Sequence, residues 1–549
     1  MIYGDLLYTV IGIGLGALAF WMAIFAEKNK NTSFKLIYVL PMIWSVFMIM
    51  FGAFEKTLVA AYIMTFIVLV GFFIEKKIVR QAVSVLLILT MAGEIAFCST
   101  SQAYRVPDFV KAFNEGIETM KEHYVLADYK GVDFDKLYDE YLPLFEEVNK
   151  THDKVGNAIL WTKFSLEFCD GHVAYVENMS GDFQEEYYRR LYGNDYGLSL
   201  VRCSDGRAMA VNVTEGSSTY EAGIHNGTVI VSWDGMPIEE FLAKDDLPLY
   251  MYNMPVKENE DFLKVICSAG QGGENIQVAF IDNEGKERKA SLKAEGSYYN
   301  RMNKTIGLLL DGRFETNLTV TKMDENTGVV RLSSMGYDSQ SYSGGDYSKM
   351  YEELKTNLQS LKDEGVTNLI FDLRSNTGGS PQFDNVIFRL ILPEGEYPMN
   401  YNCLWDEAKN AFMIDDNTGK YVVGDPIMAT GEGFWGQGKI VVLVNANTIS
   451  AGDLFTEVMS RFDNVTIMGI TPSNCSCQAI KAIEVGNGLI QFSSIPNLTE
   501  NGDFYIDCDS TRKATIPLDE RIEINQEFID EIFNKGTDYI LDQAVEYCQ

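Results

Sequence analysis

Two turns in this sequence carry residue types that could perform acyl chemistry. One closes the run Val441-Val442-Leu443-Val444-Asn445-Ala446-Asn447-Thr448-Ile449-Ser450-Ala451-Gly452-Asp453. The other closes Asn368-Leu369-Ile370-Phe371-Asp372-Leu373-Arg374-Ser375-Asn376-Thr377-Gly378-Gly379. Each is an apolar strand-like run that stops at a sharp turn and restarts at helical spacing, with Leu454, Phe455, Val458, Met459 and Phe462 after the first and Phe383, Ile387, Leu390 and Ile391 after the second. A serine at a helix start is favoured as a nucleophile, because the helix dipole and the Ala451 N–H stabilise developing negative charge. Gly378 or Gly379 would turn an N–H toward a substrate carbonyl, and with Ala451 it would form a two-point oxyanion hole. The plainer readings are a capping box at Ser450-Ala451-Gly452-Asp453 and a tight turn at the glycines.

The elements that must position these turns are of several kinds. Residues 105 to about 168 read as helices, with Phe109, Phe113, Ile117 and Met120, then Leu137, Tyr138, Tyr141 and Leu144, at helical spacing. They end at Asp170-Gly171-His172, a turn followed by strand-like residues, which puts His172 at the mouth of a strand. Residues 195 to about 295 change to short strands with glycine turns. Gly197-Leu198-Ser199-Leu200 and the later Ala222-Gly223-Ile224, Gly227, Ile230 and Asp234-Gly235 resemble a PDZ domain. That resemblance implies that Gly197, Leu198, Ser199 and Leu200 capture a peptide's terminal carboxylate and that the peptide adds as a strand to a sheet edge. From about residue 300, strands alternate with amphipathic helices, including Ser348 to Leu361, as in α/β architecture.

The combined order is a helical segment ending in Asp-Gly-His, a PDZ-like insert, Asp-Leu-Arg-x-Asn-x-Gly-Gly, then Ser-Ala-Gly-Asp. It is similar to the carboxy-terminal processing (tail-specific) serine peptidases and their tricorn-like relatives, over roughly residues 105 to 545. The resemblance implies a crotonase-like α/β spiral core flanked by a helical segment. One branch of that family activates its serine with a lysine in a loop after the nucleophile helix. The matching stretch, Gly469 to Gln478, has no lysine; Asn474 or Cys475 stands near that place, and Lys481 lies on the next strand. The tricorn-like branch uses a histidine, and His172 matches its position. A histidine base titrates near neutrality without a large desolvation shift. For the acid, Asp507 and Asp509 lie where the family tends to carry Glu, and Asp509 is preferred. His123, His152 and His225 match no catalytic place.

The first hundred residues hold four apolar runs, Leu6 to Phe25, Leu36 to Phe54, Leu58 to Ile74 and Ala82 to Phe97. Each is near the length of a membrane-spanning helix, roughly 17–25 residues. Lys28, Lys30 and Lys35, and Lys76, Lys77 and Arg80, fall in alternate connections, which places those connections in the cytoplasm and both chain ends outside. The net charge is −32, and seven Lys/Arg against five Asp/Glu up to residue 100 leave −34 for the rest. Such a surface excludes nucleic acid as a partner. Cys475-x-Cys477 is a poor zinc signal with only four histidines in the chain.

The expected fold class is therefore a membrane α-helical region plus an α/β exterior part. The expected domains are four transmembrane helices (1–100), a helical segment (101–190), a PDZ-like domain (191–295) and a peptidase core (296–549). The expected protein is a multi-pass cell-membrane serine endopeptidase with its peptidase part extracytoplasmic, acting on polypeptides without metal or organic cofactor. Ser450, His172, Asp509, Gly378, Gly379 and Ala451 form its expected catalytic set. One rival is a degenerate, peptide-binding sensor of the same fold. Another is a crotonase-like enzyme acting on coenzyme thioesters, against which the PDZ-like insert argues.

Overall fold

Aspartates start the first helices of the described chain. The computed structural model describes residues 108–311, 317–436 and 438–549. Helices α1 (Phe109–His123), α2 (Ala127–Lys130), α3 (Phe134–Thr151) and α4 (Lys154–Leu166) come first. Asp108, Asp133 and Asp153 cap α1, α3 and α4, each carboxylate accepting an N–H three residues on. These helices pack through aromatic rings: Phe113 stacks on Phe145 at 4.4 Å and meets Phe164 edge-on at 5.5 Å.

Strand β1 (Ala174–Val176) and α5 (Gly181–Tyr192) lead into a β module. There β2 (Ser199–Arg202) and β3 (Ala208–Val211) form one hairpin, followed by α6 (Ser218–Glu221). Strands β4 (Ile230–Trp233) and β5 (Met236–Pro237), helices α7 (Ile238–Leu242) and α8 (Lys257–Ser268), and strands β6 (Asn275–Ile281) and β7 (Glu287–Lys293) complete it. Its second sheet has the order β5-β4-β6-β7. A bridge between Asn194 and Ser297 ties the two ends of the module together.

After α9 (Tyr299–Leu310), the α/β core begins with β8 (Leu318–Lys322) and β9 (Thr327–Leu332). Helices α10 (Ser339–Gly344) and α11 (Ser348–Asp363) precede β10 (Asn368–Asp372), and α12 (Pro381–Ile391) follows it. Strands β11 (Gly395–Cys403), β12 (Trp405–Asp406), β13 (Ala411–Phe412) and β14 (Val423–Gly431) lead to β15 (Ile440–Leu443), α13 (Ala451–Ser460) and β16 (Val465–Gly469). A hairpin of β17 (Ala479–Val485) and β18 (Gly488–Ile495) pairs with β1, and β19 (Asn497–Leu498), β20 (Glu520–Arg521), α14 (Gln526–Ile529) and α15 (Tyr539–Cys548) end the chain. The main sheet has the order β20-β16-β15-β10-β9-β8, parallel except for β8. Its central strands are buried apolar runs covered on both faces, as parallel strands require.

The expected membrane region is corrected. Among the described residues no helix is long and apolar enough to cross a membrane. The longest, the 18-residue α3, is amphipathic and carries charged side chains along its length. The four apolar runs before residue 100 lie outside the described residues. The membrane part of the fold class, the membrane as partner, and the multi-pass, extracytoplasmic location are set aside. The fold on view is an α/β core with a helical segment and a β module.

Two buried ionisable side chains stand out in the core. Arg374 grips Asp372 through Nε and Nη2 at 2.8 and 2.7 Å, and Asp538 at the start of α15 through Nη1 and Nη2 at 2.8 and 3.0 Å. This fork ties the end of β10 to the last helix. Arg374→Ala is expected to destabilise the protein by about 3–5 kcal/mol in urea unfolding, since it leaves the buried Asp372 with only the longer contact to Arg331, at 3.5 Å. Asp384 in α12 is the opposite case: it is fully buried, and neither carboxylate oxygen has a hydrogen-bond partner among the described residues. Burial holds its carboxyl well above the usual carboxylate range. The folded state then retains a proton that the unfolded chain loses above about pH 4, so stability falls as pH rises. Asp384→Asn should remove this dependence. Its stability relative to the parent should climb by up to about 1.4 kcal/mol per pH unit between pH 5 and 8.

Candidate active site

The two motif strands are neighbours, and their register aligns Asp372 with Leu443. Their turns therefore begin at the same level on the carboxyl edge of the sheet, and four hydrogen bonds join them. Leu373 N–H donates to Leu443 O (2.9 Å), Ser375 N–H to Asn445 Oδ1 (3.1 Å), Thr448 Oγ1 to Leu373 O (2.8 Å) and Ile449 N–H to Asn376 O (3.0 Å).

Ser450 ends the second turn. Its backbone has φ 64° and ψ −121°, a conformation that non-glycine residues avoid. Three contacts hold it there: its N–H lies 3.0 Å from Ser476 O and 3.2 Å from Asp453 Oδ2, and its carbonyl accepts the Leu454 N–H. Gly378 packs directly against it. A Cβ on Gly378 would lie 2.5 Å from Ser450 Cβ and 2.9 Å from Ala451 N, and its φ is +79°.

The two glycines divide their labour. The Gly378 N–H donates to Asn376 Oδ1 at 2.9 Å, so the expectation that Gly378 is an oxyanion donor is corrected: it is there because nothing larger fits beside Ser450. Gly379 bridges in parallel to Met335, whose backbone bonds the Gly378 carbonyl and the Ser380 N–H. That pairing turns the Gly379 N–H away from Met335. Neither it nor the Ala451 N–H at the first turn of α13 has an acceptor among the described residues.

His172 is reached by a different route. Helix α4 ends, Cys169 turns at φ 47°, and buried Asp170 bonds the His172 N–H (2.9 Å) and the Ser493 hydroxyl (2.8 Å). The loop meets the serine turn through Ser476, whose hydroxyl accepts the Gly171 N–H (2.9 Å) while its carbonyl accepts the Ser450 N–H. Gly171 also abuts Ile449, the residue before Ser450: an added Cβ would sit 2.7 Å from Ile449 Cδ1. His172 is buried, and its Nδ1 has no hydrogen-bond partner among the described residues.

The carboxylates lie elsewhere. Asp509 is exposed and accepts from the N–H and hydroxyl of Thr511, which hold its carboxyl below the usual range. The preference for Asp509 as the orienting acid is therefore corrected. Asp507 is buried; its Oδ2 accepts from Cys477 N–H (3.0 Å) and Gln478 Nε2 (2.8 Å), and its Oδ1 lies 3.6 Å from the buried Lys130 ammonium. Burial raises the Asp507 carboxyl, against the pull of Lys130. Asp453, which the sequence offers only as a cap, is a hub: Ser450, Cys475 and Ser476 all present N–H groups to it, and burial pushes it up to about 7. Its signal was present as the third residue after Ser450, but only the fold brings the loop of residues 470–478 onto it. Lys481 is exposed on β17.

In the β module, Gly197 (φ +83°) donates its N–H to Asp195 Oδ1 at 2.8 Å, and Leu198, Ser199 and Leu200 are fully buried. The eight described cysteines are unpaired, and no acidic, histidine or cysteine cluster suited to a metal occurs among the described residues.

Gly378→Ala is expected to lower turnover by at least about 100-fold while leaving a folded protein. It would displace Ser450 and Ala451, and one lost oxyanion donor alone is worth about 2.7–4 kcal/mol. Peptide turnover, set beside circular dichroism, checks it.

Residues 326–506 match the model of peptidase family S41, and residues 107–154 match that of the tricorn protease C1 domain. Among solved structures, mature CPAF complexed with lactacystin aligns over 80% of this chain and 97% of its own, with 14% identity and a TM-score of 0.52. A second structure of mature CPAF covers 80% and 96%, with 13% identity and a TM-score of 0.50. The photosystem II D1 C-terminal processing protease covers 78% and 98%, with 16% identity and a TM-score of 0.32. The CPAF alignments show a shared fold, and the S41 match spans both motif turns: the chain is a serine-type peptidase.

Proposed function

We propose that the chain hydrolyses peptide bonds in polypeptide substrates with Ser450 as nucleophile and His172 as general base. Ser450 attacks the scissile carbonyl as His172 takes its proton. The tetrahedral oxyanion forms against the Gly379 and Ala451 N–H groups, and the imidazolium returns the proton to the leaving amine. The observation that carries this reading is the strained Ser450, half-exposed, flanked by two amide donors without acceptors and joined through Ser476 to the His172 loop. Asp507 and Lys130 form a buried pair behind the Asp170 carboxylate and fix the electrostatics of that loop without touching substrate. The domain organisation follows the same reading: a helical segment that delivers the base, a core that supplies the nucleophile, and the β2–β7 module between them. Its PDZ-like sequence supports a role for that module in presenting the substrate's tail, on a surface other than β2, whose residues Ser199, Leu200 and Val201 are fully buried.

A fluorophosphonate probe tests the assignment. Labelling should be stoichiometric and should disappear in Ser450→Ala. His172→Ala should reduce casein turnover by about 10²–10⁴-fold, whereas Lys481→Ala should retain it. Folded protein that takes no label would assign the chain to peptide binding without catalysis. Loss of turnover in Lys481→Ala alone would show that the base was misidentified.

A further inference from the structure

Of the buried polar atoms near the nucleophile turn that make no hydrogen bond among the described residues, two bear on the histidine loop. One is His172 Nδ1 and the other is Asn474 Oδ1. Asn474 is itself only 2% exposed. Its amide nitrogen donates to Ala446 O at 3.1 Å and Asn253 O at 3.2 Å. Both partners are carbonyls, so the amide cannot flip, and Oδ1 must be the atom turned toward the histidine loop. It presses on the residue next to His172: a Cβ on Gly171 would lie 2.0 Å from it.

The loop has few donors left for that oxygen. The Gly171 N–H goes to Ser476 Oγ, the His172 N–H to Asp170 Oδ1, and the Val173 N–H to Asp170 O. The imidazole Nδ1 is the polar atom of the loop that remains. The carboxylates nearby are engaged as well. Asp170 holds His172 N–H and Ser493, Asp453 holds three backbone N–H groups, Asp507 holds Cys477, Gln478 and Lys130, and Asp509 is exposed. Other ionisable groups around the loop include Lys130, Tyr124, Cys169, Cys475, Arg512, Glu260 and Glu167.

Resting on the assignment of His172 as base, we infer that Asn474 is its positioning residue: the two atoms stand unbonded in this structure, and the Asn474 carbonyl accepts the Nδ1 proton once the imidazole turns onto it, which leaves Nε2 free to receive the Ser450 proton. Each orphaned atom costs about 1–3 kcal/mol while buried alone, and pairing them removes both costs. A neutral amide locked with its oxygen inward fixes the tautomer as a carboxylate would, but adds no charge to stabilise the imidazolium.

The chain has four histidines, so nitrogen-15 imidazole spectra of the full-length protein can be assigned by subtraction with His172→Gln. Neutral His172 should be the Nδ1–H tautomer. In Asn474→Ala it should revert to the Nε2–H form that free imidazole favours, with kcat falling more than KM changes. In Asn474→Asp the acidic limb of kcat/KM should move to higher pH by about one unit, because a carboxylate favours the charged ring. An Nε2–H tautomer in the unaltered protein overturns the inference without any variant, and so does a tautomer unchanged in folded Asn474→Ala. Failure of Ser450 to label would instead overturn the peptidase roles, while the tautomer would still be read.

Discussion

The site depends on one register, the parallel pairing of β10 with β15. Asp372 faces Leu443 across that pair, and both strands are buried on both faces. A slip of one residue would carry Ser450 about 3.3 Å along the strand and turn every side chain to the opposite face. The four hydrogen bonds that stitch the turns together form only in the observed register. The Gly378–Ser450 contact follows from it, and so does the closeness of two helix starts that carry unpaired N–H groups.

A second layer joins pieces that are far apart in the chain. Asp453 gathers the N–H groups of Ser450, Cys475 and Ser476, and Ser476 passes the connection to Gly171. The segment around α8 clamps the same assembly from the module side: Asn253 donates to Ser165 O and Val173 O, and Asn259 to Pro472 O and Ser473 O. The His172 loop and the Ser450 turn thus meet through hydrogen bonds to shared partners. This explains how a helical segment, a β module and an α/β core can share one centre without the histidine and serine being close in sequence.

Much of the architecture was legible because it follows local periodicity. The apolar spacing of α12 and α13 marked their buried faces correctly, and the strand-to-helix turns were plain from composition. In α3 the stripe drifted: Leu144 points outward and Phe145 inward, as 3.6 residues per turn requires over three turns. What stayed hidden was whatever depends on long-range placement. Asp507 and Asp509 are two residues apart in sequence, yet one is buried beside Lys130 and the other is in solvent. Asp384 reads as an ordinary first-turn acid of an amphipathic helix, and only packing against the core reveals it as an unpaired buried carboxyl. Asn474 had no signal beyond standing near the place where a lysine would be sought.

Backbone conformation separates the two sequence readings of Ser450. A serine that merely caps a helix sits in the extended region, with its oxygen folded over the first turn. Among the described residues, the side-chain caps Asp108, Asp133, Asp153, Ser217, Asp338, Asn525 and Asp538 all have φ between −71° and −146°. Ser450, at φ 64°, stands apart from them. That conformation costs about 1–3 kcal/mol for a residue with a Cβ, and an ordinary cap would relax out of it. Here it is held by Ser476 and Asp453 on the N–H side and by α13 on the carbonyl side, with Gly378 leaving room for the Cβ. The Asp453 bond and the carbonyl bond to Leu454 also belong to a capping box; the positive φ, the Ser476 bond and the space left by Gly378 do not, and they are what sets Ser450 apart from an ordinary cap.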